Sequence, residues 1–225
     1  MKYIETDKRF YKKLVKIALP IAMQSVITTG VNLVDTIMLG TLGETALSAS
    51  SLATQFITLF TFLCMGISMG ASVLTSRYWG AQNKDSLRET ITVALRFTVV
   101  LALVFTAVNI CVPRQIMELY TNESPVIEGG TVYLQWSTIT YILMALSTVT
   151  TNILRSADLA MIPLAASTTS FLVNIGANYI FIFGKLGAPA MGIAGAALGT
   201  VIARVVEVLI ICGYFFIVDK RIGYR

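Results

Sequence analysis

Residues 90–112 read Thr-Ile-Thr-Val-Ala-Leu-Arg-Phe-Thr-Val-Val-Leu-Ala-Leu-Val-Phe-Thr-Ala-Val-Asn-Ile-Cys-Val, with a single charge, Arg96. A helix crosses the hydrocarbon core of a bilayer with about 20 mostly apolar residues, so this run is long enough to span. Five more runs of the same kind occupy 14–39, 47–75, 126–153, 162–183 and 191–218. Turn-like or charged segments separate them at 40–44, 80–85, 113–125, 155–158 and 184–189. The whole chain of 225 residues is 56% apolar and only 13% charged, whereas soluble domains carry about a quarter charged residues. Buried helices of a soluble protein could imitate one or two such runs, not six in succession. Lipid offers no partner to an open backbone, so each run is expected to be a helix. The expected fold is an all-α membrane protein with six transmembrane helices. The first run is too long, and lacks the small-residue cleavage site, for a removable signal peptide.

Lysine and arginine give the orientation. Lys2, Lys8, Arg9, Lys12, Lys13 and Lys16 precede the first span; Arg77, Lys84 and Arg88 join the second to the third. Arg155 joins the fourth to the fifth, and Lys220, Arg221 and Arg225 follow the sixth. The other side holds Arg114 and Lys185, while Arg96 and Arg204 fall inside spans. Thirteen against two predicts that both termini are cytoplasmic. This asymmetry explains the net charge of +5 without a nucleic-acid partner. Arg96, two turns inside its span, is expected to snorkel to the cytoplasmic face, and Arg155 with Asp158 reads as loop electrostatics.

The absence of histidine excludes imidazole bases and His-based zinc motifs. Cys64, Cys111 and Cys212 are isolated and form no redox or disulfide pattern. No nucleophile–base constellation or metal-ligand set is visible, so an enzyme is not expected. What remains is polar spacing within apolar helices. Gln24, Thr28, Asn32 and Asp35 fall within an arc of about 80° at ~100° per residue. Ser167, Ser170, Asn174 and Asn178 subtend a similar arc in the fifth span, and Thr200, Arg204 and Glu207 lie together in the sixth. Such ridges mark helix interfaces or a hydrated cavity.

Asp35 stands out, because a carboxylate in a span costs about 2.5–3.5 kcal/mol on insertion scales. Either it exchanges a proton or cation in a cavity, or, one turn before Gly40, it snorkels to the outer interface. Asn174 and Asn178 offer carbonyl oxygens one turn apart, suited to a hard cation such as Na+ shared with Asp35, or to interhelical hydrogen bonds. Arg204 and Glu207 have the i,i+3 spacing of an intramembrane ion pair, with a substrate site as the alternative. Gly66-x-x-x-Gly70 and Gly195-x-x-x-Gly199 predict close helix packing. Pro20 is placed to bend the first span.

Five segments in order resemble the multidrug and toxic compound extrusion (MATE) transporters. They are Ala18-Leu-Pro-Ile21 with Val34-Asp-Thr-Ile-Met-Leu-Gly40; Gly70-Ala-Ser-Val-Leu-Thr-Ser-Arg-Tyr-Trp-Gly-Ala81; Pro113-Arg-Gln-Ile-Met-Glu-Leu-Tyr-Thr121; Asn174-Ile-Gly-Ala-Asn-Tyr-Ile-Phe-Ile-Phe-Gly184; and Gly192-Ile-Ala-Gly-Ala-Ala-Leu-Gly-Thr200. The resemblance implies two six-helix lobes around a central cavity, of which residues 1–225 form the amino-terminal lobe and the carboxy-terminal lobe is absent. It implies export of cationic or amphipathic organic compounds in exchange for H+ or Na+ across a bacterial inner membrane. No cofactor is then expected, H+ or Na+ being the transported coupling ion, and the partners are the bilayer, a small organic substrate and a second lobe or second copy. Asp35 matches the acid associated with cation coupling; Asn174, Asn178 and Thr200 match polar positions beside it. Gln24, Thr28, Asn32, Ser167 and Ser170 are expected to line the cavity. Some members carry a second aspartate where this chain has Asn178, so a two-carboxylate site is not implied. The competing expectations are a lipid-linked saccharide flippase of the same architecture, which needs several cationic cavity residues, and a non-transporting helical module.

Overall fold

The computed structural model describes residues 8–219, 222 and 224. Of the cationic set, Lys2, Lys220, Arg221 and Arg225 lie outside the described residues, as do the side chains of Arg9 and Lys13. Every regular element described is helical. The helices are α1 (Lys8–Gly40), α2 (Glu44–Gly80), α3 (Lys84–Cys111), α4 (Pro113–Glu118), α5 (Ser124–Trp136), α6 (Thr140–Ser156), α7 (Met161–Phe183) and α8 (Ile193–Gly213). A π-helical turn, Tyr214–Val218, extends α8.

Local chemistry sets the breaks. Asn83 caps α3 by accepting a hydrogen bond from the Ser86 amide at 3.2 Å, with Asp85 in the first turn against the helix dipole. Pro113 and Pro125 open α4 and α5, where a missing amide hydrogen costs nothing. Gly184 ends α7 in the left-handed conformation at φ 67°, and a Cβ there would meet the Ala190 backbone nitrogen at 2.7 Å. Pro20 lies inside α1, which continues unbroken through it.

Five helices are long and apolar enough to cross a bilayer singly: residues Leu14–Gly40, Glu44–Gly80, Lys84–Cys111, Met161–Phe183 and Ile193–Val218. The fourth expected span, 126–153, is not one helix. It is α5 and α6, bent by 59° at the break between Trp136 and Thr140. Segment 113–125, expected as a plain connection, contains the short helix α4.

Counting the bent pair as one pass makes the connections alternate between two ends. One buried cluster holds Leu39, Ile116, Met117, Ile127 and Ile182. The other holds Leu87, Ile153, Leu154, Phe215 and Ile222. Arg77, Lys84, Arg88 and Arg155 all belong to the second end, hereafter the cationic end, while Arg114 and Lys185 belong to the opposite one.

The surface is apolar, and polar side chains are buried among the apolar ones of the interior. Val26, Leu33, Phe62, Val73, Phe97, Val100, Leu172 and Ile217 are more than half exposed, while Thr98, Asn109, Thr150, Asn174 and Asn178 are fully or almost fully buried. Water would not tolerate so much apolar surface; acyl chains do. The chain is a multi-pass membrane protein. Its core is two-layered: α2 packs on α3, α5 and α6, while α1 packs on α7 and α7 most closely on α8. α1 touches α2 only lightly, so a cleft opens between them.

Candidate functional site

The polar ridges of α1, α7 and α8 meet. Asn178 Nδ2 donates to Asp35 Oδ1 at 2.5 Å and to Asn174 Oδ1 at 3.3 Å. Asp35 is half-buried and opens onto a cleft of about 450 Å³ that also reaches Thr28, Asn32, Thr54, Tyr133, Thr200 and Arg204. A smaller chamber of about 50 Å³ lies beside it, lined by Thr28, Asn32, Ser167, Ser170, Asn174, Thr200, Arg204 and Glu207. Asn178 is completely buried between them. Its amide nitrogen faces the carboxylate, and its Oδ1 has no hydrogen-bond partner and sits against Gly199. Only a glycine there leaves room for the amide.

The ridge of α1 does two jobs. Thr28 and Asn32 face the cleft and chamber, as the spacing suggests. Gln24, on the same ridge, is instead buried in the interface with α7, where its Nε2 donates to Ser167 Oγ at 2.7 Å. On α7, Ser170 Oγ donates to the Ala203 carbonyl at 2.9 Å and so ties α7 to α8.

On α8, Arg204 Nη1 donates to Glu207 Oε2 at 2.7 Å, and the Glu207 side chain is 7% exposed against 33% for Arg204. The i,i+3 spacing therefore produces an ion pair, turned inward. Ser167 Oγ donates a long bond, 3.4 Å, to the other oxygen of Glu207.

Arg155 is not loop electrostatics. It stands in the last turn of α6 and donates through Nη2 to Gln24 Oε1 at 2.6 Å. Its target is 131 residues away in sequence, so no local pattern signals it. Asp158 does stay in the connection, exposed, at φ 62°. Arg96 is exposed on α3, away from both cavities.

Two further residues belong to the site without a sequence signal. Tyr133 of α5 is buried, faces the cleft, and has Thr54 and Thr200 within hydrogen-bonding reach of its hydroxyl. A single tyrosine in an apolar run reads as ordinary core filling. Thr54 of α2 spends its hydrogen on the Ser50 carbonyl at 2.8 Å, which leaves its oxygen to accept.

Chemically, the arrangement gives one carboxylate an amide donor, on the wall of a cleft that hydroxyl side chains and one guanidinium also line, within an apolar shell. Such a carboxylate can take up and release a proton or a small cation. Among the described residues no group of three or more His, Cys, Asp or Glu converges on one point.

The sequence matches the model of the MatE family over residues 20–180. It is 29% identical over 203 residues to a probable multidrug resistance protein NorM of Thermotoga maritima, covering 87% of this chain and 42% of that protein. It is 30% identical over 199 residues to a probable NorM of Neisseria meningitidis serogroup B, covering 83% and 41%. A crystal structure of a MATE protein in a straight conformation superimposes with a TM-score of 0.86 at 23% identity, over 95% of this chain and 47% of the other. The chain thus spans less than half the length of these relatives.

Proposed function

Because the chain belongs to the MatE family, we propose that it supplies the cation-coupling lobe of an antiporter that exports cationic or amphipathic organic compounds, drugs among them. Asp35 carries the coupling H+ or Na+, with Asn174, Asn178 and Thr200 around it. The observation that carries this reading is the Asn178–Asp35 hydrogen bond on the wall of the cleft. It fixes a carboxylate inside a bundle whose outer surface is apolar, where a snorkelling side chain would reach for headgroups instead. The names of the relatives, multidrug resistance proteins, support the export of drugs.

Loading Asp35 with a cation neutralises it, and unloading restores a charge that Asn178 must satisfy. Two arrangements of α1 against α7 follow, and substrate favours the one in which the acid is unloaded. A ligand shifts such an equilibrium only by its difference in affinity for the two arrangements. A second six-helix lobe or a second copy would close the cleft. In this reading both termini are cytoplasmic and the protein sits in a bacterial inner membrane. No nucleic acid takes part. The flippase alternative needs several free cations in the cleft. Among the described residues, Arg204 is the one cation that lines it, and Glu207 holds it.

The test is Asp35→Asn, expressed with a second six-helix lobe in a strain sensitive to cationic dyes. Dye efflux is expected to fall at least tenfold at unchanged membrane abundance, and undiminished efflux would overturn the role of Asp35. Vesicles driven by a sodium gradient alone, or by a pH gradient alone, then identify the coupling ion. A chain that binds neither dye nor cation, alone or with the second lobe, is the non-transporting module.

A further inference from the structure

Arg204 is the one side chain shared by three features of the site. It lines the cleft with Asp35, it lines the small chamber with Glu207, and it donates to Glu207 at 2.7 Å. One carboxylate therefore holds the guanidinium and a second lines the same cleft. Asp35 has Asn178 as its hydrogen-bond donor and lies within the electrostatic range of Arg204. Glu207 is the more buried of the two and lacks an amide donor; its second oxygen has only the 3.4 Å bond from Ser167. The remaining charged group near this network is Arg155 of α6, whose guanidinium is engaged by Gln24. From α5, Tyr133 lines the cleft with Asp35 and Arg204.

A guanidinium on a flexible stem, at the border of two cavities, can exchange one carboxylate for the other by side-chain rotation alone. We propose that Arg204 is a built-in competitor for the transported cation, kept off Asp35 by Glu207. While Glu207 holds Arg204, Asp35 is free to take a cation from the cleft. When Arg204 turns to Asp35, the cation is displaced and the site stays neutralised without it. This inference rests on the reading of Asp35 as the cation site, and assigns the Arg204–Glu207 pair a part in it. A merely structural pair would stiffen α8 and leave the affinity for the cation unchanged.

The two single variants should move cation affinity in opposite directions, and the effect of Glu207→Gln should disappear once Arg204 is removed, whereas a fixed pair acting only by its charges would lose the contribution of Glu207 in either background. The full chain in lipid nanodiscs is titrated with radioactive Na+ at alkaline pH, and the binding lost in Asp35→Asn is taken as the specific component. Glu207→Gln frees Arg204 and is expected to weaken specific Na+ binding about tenfold. Arg204→Gln removes the competitor and should strengthen it by at least about tenfold, the size expected for one unit charge roughly 10 Å away in a medium of effective dielectric about 20. Arg204→Gln/Glu207→Gln should bind as tightly as Arg204→Gln alone, because Glu207 acts through Arg204; a double variant that falls back below Arg204→Gln by the factor lost in Glu207→Gln overturns the proposal. Should Glu207→Gln fail to fold, the gain in Arg204→Gln still decides the matter. The proposal is overturned if Arg204→Gln leaves specific binding unchanged, or if both single variants weaken it. If no variant, the native chain included, shows Asp35-dependent Na+ binding, Asp35 is not a Na+ site and this inference fails, whereas Asp35 as a proton carrier is decided by dye efflux in Asp35→Asn.

Discussion

At the scale of single residues, the two small-residue motifs turn out to be unlike each other. A Cβ on Gly195 would meet the Phe181 carbonyl oxygen at 2.5 Å, and one on Gly199 would collide with the Asn178 side chain. Gly66 and Gly70 have nothing within 4 Å. Identical spacing therefore packs α8 onto α7 but leaves the α2 pair against open space. Gly195→Ala is expected to cost about 1–3 kcal/mol, because backbone atoms cannot step aside, and thermal unfolding in detergent measures it. Gly66→Ala and Gly70→Ala should lie within about 0.5 kcal/mol of the native chain, as surface changes do. Gly199→Ala should impair cation binding beyond its effect on stability, since the displaced group is the amide that holds Asp35. Asp35 itself was legible, because its neighbours recur at helical spacing on one face. Arg155 was not: its partner, Gln24, comes from the other end of the chain.

At the scale of elements, the fourth span carries the main surprise. The Thr138 amide bonds to the Gln135 carbonyl instead of the Leu134 carbonyl that an α-helix would use. The freed Leu134 carbonyl accepts from Asn109 Nδ2 at 2.7 Å, and from the hydroxyls of Ser137 and Thr138, each at 3.1 Å. Asn109 also donates to Thr138 Oγ1 at 2.8 Å. A side chain of α3 thus satisfies the break in place of the water that lipid excludes. Asn109→Ala removes this donor and should destabilise the chain by about 1–3 kcal/mol. Asn109→Asp, which presents an acceptor to two acceptors when ionised, should be worse. The fluorescence of Trp136, at the edge of the break, is the natural probe in a thermal melt; equal stability in both variants would refute the role of Asn109. Neither proline nor glycine stands at 137–139, so the bend left no mark in the sequence. The apolar stretch reads as one helix because composition records length and not the path of the backbone.

At the scale of the whole molecule, orientation is the property to test. Lys185 and Cys111 stand at one end of the bundle and Lys84 at the other, all three exposed. With both termini cytoplasmic, a membrane-impermeant thiol reagent should label Cys111 and Lys185→Cys in intact cells. With Cys111 replaced by serine, Lys84→Cys should react only after permeabilisation. The reverse pattern would invert the topology.

Five spanning helices, a sixth pass if α5 and α6 count as one, the cationic end and the polar ridges of α1, α7 and α8 were all set by sequence alone. Each is a property of consecutive residues: apolar length, charge between runs, and a period near 3.6. The tertiary structure decided how those ridges divide their work. It placed Gln24 in an interface and Asp35 on a cleft, brought Tyr133 and Arg155 to the network, and folded the fourth pass in two. These choices depend on which distant helix supplies the partner for a buried polar atom, and inside an apolar shell every such atom must find one.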